Sequence, residues 1–276
     1  MSKGIRKLTL EATAVLFTIL VFWVPFYFVF LTAAKDAKQA SLLDLSWPTQ
    51  FRIWENMQEV VSARDFMLLR AFWNSTLLTV LSIVVLIVIC AMAGYVIQRR
   101  TSRATPGINF LILAGLIIPP AIVPTIWVLD SIGLFKTMTG LVLVEVALGF
   151  PFTVLLYKGF MVAIPREIDE AALMDGAGGF TLFWRIIFPL LQPVTATVIV
   201  ISAVSIFNDF TNPLYFLPGS KNATVQLTLY NFQSQFVTQW NLLFTNILLI
   251  TIPPLVLFLF FNKKIVSGMT AGSVKG

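Results

Sequence analysis

The sequence predicts an all-α integral membrane protein with six transmembrane helices, and three observations carry that expectation. Hydrophobic residues make up 58% of the 276 and charged residues 12%, about half the roughly 25% charged content of an average soluble domain. The few charges cluster between long apolar runs. Six of those runs, residues 10–31, 76–97, 108–129, 139–160, 186–207 and 242–261, reach the roughly 20 residues that a helix needs to cross a hydrocarbon core of about 30 Å.

The elements follow in order. Lys3, Arg6 and Lys7 precede the first run. A cleaved signal peptide has such a start, but its apolar core spans about 7–15 residues, so the longer run here predicts a retained first helix behind a short N-terminal segment, 1–9. The segment at 32–72 is charge-balanced: Lys35, Lys38, Arg52, Arg64 and Arg70 oppose Asp36, Asp44, Glu55, Glu59 and Asp65. Within it Trp47-Pro48 marks a turn before a short helical stretch. Pro119, Pro120 and Pro124 interrupt the third run, and Pro253-Pro254 lie in the sixth. Proline removes a backbone donor and kinks a helix, and in lipid neighbouring helices must satisfy the freed carbonyls. Two packed kinks are the plainer reading; a hinge that shapes a pathway is the other. Asp130 and Lys136 sit in the short connection after the third run, and the 209–240 loop is rich in Asn, Gln and Thr.

Orientation follows from the basic residues. Lys3, Arg6 and Lys7, then Arg99, Arg100 and Arg103, then Lys263, Lys264 and Lys275 in a tail at 262–276 all fall on one side of six spans. The positive-inside rule makes that side cytoplasmic, with both termini there and 32–72 outside. The whole chain, 1–276, is expected to form one transmembrane domain.

Composition also excludes classes of function. The chain has one cysteine, Cys90, and no histidine. An intrachain disulfide is excluded, and zinc, haem, Cys–His and Ser–His chemistry lose their usual residues. The net charge of +6 is spread over topology-setting segments, so no basic patch on a soluble domain points to nucleic acid. No G-x-x-x-x-G-K-[ST] loop is present. If the protein works on ATP, another chain hydrolyses it, and this one binds no cofactor.

The loop at 161–185 departs from the positive-inside trend. Lys158, Arg166 and Arg185 around it face Glu167, Asp169, Glu170 and Asp175. Pro165 suits a first helical turn, and the acids at 167, 169 and 170 suit a positive N-terminal end. Ile168, Ala171 and Ala172 form a small apolar face at helical spacing. Gly176 can supply a left-handed C-terminal cap, Gly178 and Gly179 prolong the break, and Thr181 can cap the next helix. Trp184 and Arg185 suit a membrane interface. Such a helix is too short to be stable alone; it packs either on the chain's own loops or in a partner's groove, and the residues leave both open.

The stretch Glu170-Ala171-Ala172-Leu173-Met174-Asp175-Gly176-Ala177, followed by Phe183, Ile186, Phe188-Pro189 and Pro193, resembles the EAA signature of bacterial ABC importer permeases, and its DGA form resembles the carbohydrate group. Trp54-Glu55-Asn56, Asn74-Ser75, Ile118-Pro119, Ile132-Gly133-Leu134 with Thr137, and Asn208-Asp209-Phe210 with Pro213-Leu214 resemble further parts of the family pattern. The tail from Ser267 to Gly276 resembles the ending of the shorter permease of maltose-type systems. Two positions depart: Gly178 stands where serine is common, and Phe207 where tryptophan often precedes Asn-Asp.

The resemblance implies a type I permease fold with a cytoplasmic coupling helix between helices four and five. It also implies a heterodimeric pore with a second, homologous permease, two cytoplasmic ABC ATPase subunits holding ATP-Mg, and an extracytoplasmic solute-binding protein, in a bacterial inner membrane. By the same resemblance Glu170, Ala171, Ala172, Asp175, Gly176 and Ala177 dock in the ATPase cleft, and Gly268, Thr270, Ala271 and Gly272 reach between the ATPase subunits. Glu145, an ionisable residue inside a span, is a candidate for the translocation pathway, with Asn208 and Asn246 beside it; helix packing is the plainer role for Glu145. Interhelical hydrogen bonds are likewise the plainer role for Thr245, Asn246 and Thr251, and Cys90 is read as a small buried apolar residue. The expected function is a permease subunit importing a sugar or related polar solute. The rival classes are an ion-gradient-driven secondary transporter, which would show repeats with broken helices, and a non-transporting membrane scaffold.

Overall fold

The computed structural model describes residues 3–100, 102–233 and 238–271, and no strand longer than an isolated bridge occurs among them. Contacts divide the chain into two compact units: Met1–Arg70 with Val225–Ile252, and Ala71–Thr224 with Pro253–Gly276.

In the first unit, helix α1 (Lys3–Thr18) continues through a π turn (Ile19–Trp23) into α2 (Val24–Ala34). Over Leu10–Ala34 only 6% of the most apolar window is buried, so this helix turns its side chains to lipid or a partner and its end to the chain. That end is a polar knot. Asn56 donates to the carbonyls of Ala33 and Lys35 at 2.8 and 2.9 Å, Asn241 donates to Asn56 at 3.1 Å, and Thr245 donates to Ala33 O at 3.2 Å. The amine of fully buried Lys35 reaches Asp44 Oδ1 at 2.7 Å and the Asp44 carbonyl at 2.8 Å. Asp44 accepts from Ser46 as well, and these two partners, Lys35 first, hold its carboxyl down at about 2. The short α3 (Ala37–Ala40) is capped by Asp36.

Helix α4 (Ile53–Arg99) starts well before the expected span at 76. The helical stretch expected after Trp47-Pro48 is therefore its first turns, and three left-handed residues, Arg64, Asp65 and Phe66, bend it. The last apolar run lies in α13 (Trp240–Ala271), which contains Pro253 and Pro254.

The second unit is organised around α7 (Met138–Met161), which packs against α5 (Thr105–Ile117), α11 (Gln192–Phe207) and α12 (Thr211–Phe216). Thr137 caps α7 by accepting from Gly140 N at 3.0 Å. Close helix approach depends on glycine: a Cβ at Gly94 of α4 would stand 2.8 Å from Tyr157 Cβ, and one at Gly115 2.8 Å from Pro151 Cγ. Tyr157 is fully buried and shares a 3.0 Å hydrogen bond with Thr195. Cys90 is the expected small buried residue, its sulfur 3.8 Å from Phe150 O.

Two expected spans are not straight. The run at 108–129 is the pair α5 and α6 (Ile122–Ser131), bent by 116°. Ile118 takes an extended conformation ahead of Pro119, as the residue before proline tends to. The run at 186–207 is also broken, by 73° at Leu191 between Gly179–Leu190 and α11. Among the described residues three helices are long and apolar enough to cross a membrane, five if each bent pair is one span, with the shorter apolar Trp240–Val256 besides.

Candidate functional site

Helix α8 (Glu167–Met174) is the short helix expected between the fourth and fifth runs. Its C-terminal end is closed as the glycine predicted: Gly176 has φ +81°, Gly176 N donates to Leu173 O at 3.0 Å and Ala177 N to Ala172 O at 2.9 Å. This paired pattern is a Schellman motif, which relieves two orphan carbonyls. Pro165 lies just outside the helix, with Arg166 at the N-cap. Thr181 does not cap the next helix, because Gly178 takes the extended N-cap position of α9 (Gly179–Thr181) three residues earlier. A π segment, Leu182–Ile187, and α10 (Phe188–Leu190) complete the approach to α11.

The inward face of α8 and the turn before it are tied to the end of α4 by contacts between residues 65 to 74 positions apart in sequence. Asp169 accepts from Tyr95 Oη at 2.9 Å and stands 2.9 Å from an Arg99 guanidinium nitrogen, with side chains 13% and 11% exposed. The same Arg99 nitrogen donates to Ile164 O at 3.0 Å, and Arg166 donates to Gln98 O at 3.4 Å. Tyr95 also packs on Phe183 of the π segment, ring centres 5.5 Å apart. Arg99 was legible only as a topology charge and Asp169 only as an N-terminal acid; no spacing connects them.

The outward face is open. Glu170, Ala171, Asp175 and Gly176 are exposed and Ala177 is half-buried, while Ala172 is buried in the chain's own core. Leu173, Met174 and Phe180 add apolar surface, Met174 at 88% exposure. The eight-residue helix thus has one face bonded to its own chain and an apolar, acidic face uncovered among the described residues. Of the tail residues, Gly268, Thr270 and Ala271 fall in the last turns of α13, and Gly272 lies outside the described residues.

Glu145 and Asn208 also belong to the second unit. Glu145, 7% exposed, accepts from Asn212 at 3.2 Å. It lines a cleft of about 390 Å³ with Asp209, Asn212, Ser202, Ser205 and Thr153. Asp209 and Asn212 are the members that sequence reasoning passed over. Asn208 donates to Val204 O at the end of α11. Asn246 lies in the first unit, fully buried, donating to Thr228 Oγ1 at 2.9 Å. Thr251 bonds to Ile247 O of its own helix.

Apolar helices long enough to cross a membrane, two broken spans and a polar cleft beside Glu145 are the architecture of a multi-spanning membrane protein. Residues 83–271 match the family model described as the binding-protein-dependent transport system inner membrane component, and the chain belongs to that family. Among its relatives, a melibiose/raffinose/stachyose import permease of Bacillus subtilis is 31% identical over all of this chain and 98% of its own. A multiple sugar-binding transport system permease of Streptococcus mutans is 35% identical over 74% of this chain and 76% of its own. In fold, the chain resembles a chain of a bacterial ABC transporter involved in the import of the acidic polysaccharide alginate, with a TM-score of 0.79 at 18% identity over 95% of this chain and 98% of that one. It also resembles a chain of the MetNI methionine transporter, TM-score 0.54 at 14% identity over 73% of this chain and 96% of that one. The protein is thus a multi-pass inner-membrane permease subunit of an ABC importer. It has the type I fold, is not itself an enzyme, and carries its EAA stretch within the family match. Such importers include a periplasmic binding protein and ATPase subunits as partners.

Proposed function

We propose that the chain forms half of the translocation pathway for an oligosaccharide or related polyhydroxylated solute, paired with a second homologous permease. The reading adds two ATPase subunits holding ATP-Mg on the cytoplasmic side, where both termini lie, and a solute-binding protein outside. The single observation behind the coupling role is α8 itself, clamped inwardly by Asp169 and open outwardly at Glu170, Ala171 and Asp175. Gly176 holds the shape of the turn through its left-handed cap. Ala172 acts from within by seating the helix, and Ala177 by closing the cap. The tail residues Gly268, Thr270, Ala271 and Gly272 extend the ATPase contact.

The sugar class is supported by the relatives' cargo and by the Glu145 cleft, where two carboxylates, two serines, a threonine and an amide offer acceptors and donors suited to hydroxyl groups. Asn208 stands next to that cleft in sequence; Asn246, bonded to Thr228, serves packing first. The test is ATP-dependent uptake of a labelled oligosaccharide such as raffinose by the reconstituted transporter. Glu170→Lys abolishes uptake and solute-stimulated ATP hydrolysis while the subunit stays in the membrane. Normal uptake in that variant refutes the coupling role, and uptake that persists without ATP but collapses with the proton gradient refutes the ABC assignment of the energy source.

A further inference from the structure

We infer that the second unit carries a binding site for an anionic phospholipid of the cytoplasmic leaflet, in the cleft between the end of α4 and the α8 loop. The cleft has a volume of about 520 Å³. Its apolar lining includes Met92 and Val96 of α4 and Phe180 of α9, with Val96 47% and Phe180 77% exposed. Its polar lining carries cations. Arg99 is neutralised by Asp169, which leaves Arg100 and Arg166, neither ion-paired among the described residues, against a single exposed Glu170. Two buried donors of lining residues, Arg99 Nε and Trp184 Nε1, have no hydrogen-bond partner, nor does the buried acceptor Asp169 Oδ2, whose charge is met by Arg99 at 2.9 Å. An oxygen-rich anion supplies the acceptors such donors lack, and guanidinium groups suit a phosphate.

Depth selects a lipid over a soluble anion. The second apolar run ends at residue 97. At 1.5 Å per residue Arg100 lies about 5 Å beyond it, which is the level of lipid headgroups outside a core of about 30 Å. Trp184 also lines the cleft and is an interface-seeking residue. Met92 and Val96, one turn apart on α4 and both exposed, continue the apolar lining towards the hydrocarbon, where an acyl chain lies. The inference rests on the cytoplasmic placement of the loop but not on the coupling role of Glu170.

The test uses the complete transporter in nanodiscs. Trp184 fluorescence is isolated by subtraction against Trp184→Phe, and quenching is compared between dibrominated phosphatidylglycerol and dibrominated phosphatidylcholine. The expected result is preferential quenching by phosphatidylglycerol, insensitive to millimolar inorganic phosphate. Arg100→Gln with Arg166→Gln should reduce that preference on the order of tenfold, following the contribution of each basic group near an anionic surface. Equal quenching by both lipids overturns the proposal, as does a preference that survives the double variant or is displaced by inorganic phosphate. A preference present in the permease pair but absent from the complete transporter overturns it too, because the ATPase then fills the cleft. None of these outcomes depends on Glu170→Lys, so failure of the lipid site and failure of the coupling reading are separable.

Discussion

Asp169→Ala should loosen the α8 helix while leaving the spans intact. The substitution removes the acceptor of Tyr95 Oη and the counter-ion of Arg99 together, both at 2.9 Å. Breaking a buried ion pair by deleting one partner costs about 3–5 kcal/mol. Here Arg99 keeps the Ile164 and Pro165 carbonyls at 3.0 and 3.4 Å, so about 2–3 kcal/mol is expected. An eight-residue helix cannot hold itself, and the loss falls on local opening of 164–177. At 1.4 kcal/mol per factor of ten that is roughly a 30- to 150-fold rise in opening. Hydrogen exchange reads it directly at Glu170 N and Ala177 N, whose bonds to Arg166 O and Ala172 O close the helix. Uptake should fall by about tenfold or more, in line with misplacement of a coupling element, while basal ATP hydrolysis persists. The double variant with Arg99→Ala should cost less than the two singles added. Unchanged exchange in α8, or strict additivity in that cycle, refutes the clamp.

Three further outcomes follow from the geometry. Gly176→Val should cost about 1–2 kcal/mol from its left-handed backbone alone, since a Cβ there meets nothing within 4 Å; Gly176→Asn should retain most uptake, and equal uptake in both variants argues against the cap. Gly94→Val should lower the thermal unfolding temperature through about 1–3 kcal/mol of overpacking, because its Cβ would stand 2.8 Å from Tyr157 Cβ and 3.1 Å from Lys158 N; an unchanged melting temperature contradicts the α4–α7 approach. Asp44 is held at about 2 against an ordinary 3.8 by Lys35 and Ser46. A depressed carboxylate contributes stability above its unfolded pKa that disappears as pH falls through its folded one, so the melting-temperature gap between wild type and Lys35→Met should be constant above pH 4 and shrink towards pH 2. A gap that is flat over that window counts against the pair.

Local features were readable in the sequence, and long-range ones were not. Gly176 announced its own cap because a helix end needs a positive φ and only nearby residues decide it. Asp169 and Arg99 were both visible as charges, but Arg99 also satisfied the positive-inside rule, and that explanation hid the ion pair it makes across 70 positions. Proline shows the same limit from the other side. Pro119-Pro120 lie at a 116° break between two helices, while Pro253-Pro254 lie within the bounds of a single helix. A proline pair removes two donors wherever it falls and permits a bend without dictating one; packing decides. Thr181 lost its capping place for a similar reason, since Gly178 could extend the backbone three residues sooner.

The clamp also alters how force should travel through the subunit. By connectivity alone, a push on α8 reaches the fourth and fifth runs, because the loop joins them. The side chains add the second run, through Tyr95, Gln98 and Arg99 at the end of α4. The Gly94–Tyr157 contact, only 2.8 Å from a hypothetical Cβ, then sets α4 hard against α7, with no flexible side chain between them to absorb a displacement. Packed interfaces switch between discrete arrangements and do not deform smoothly. Motion of α8 should therefore move α4 and α7 as a pair, and α7 is the helix that carries Glu145 into the polar cleft. The α8 loop and the cleft would then be joined through the second and fourth runs, by contacts that the order of the chain does not reveal.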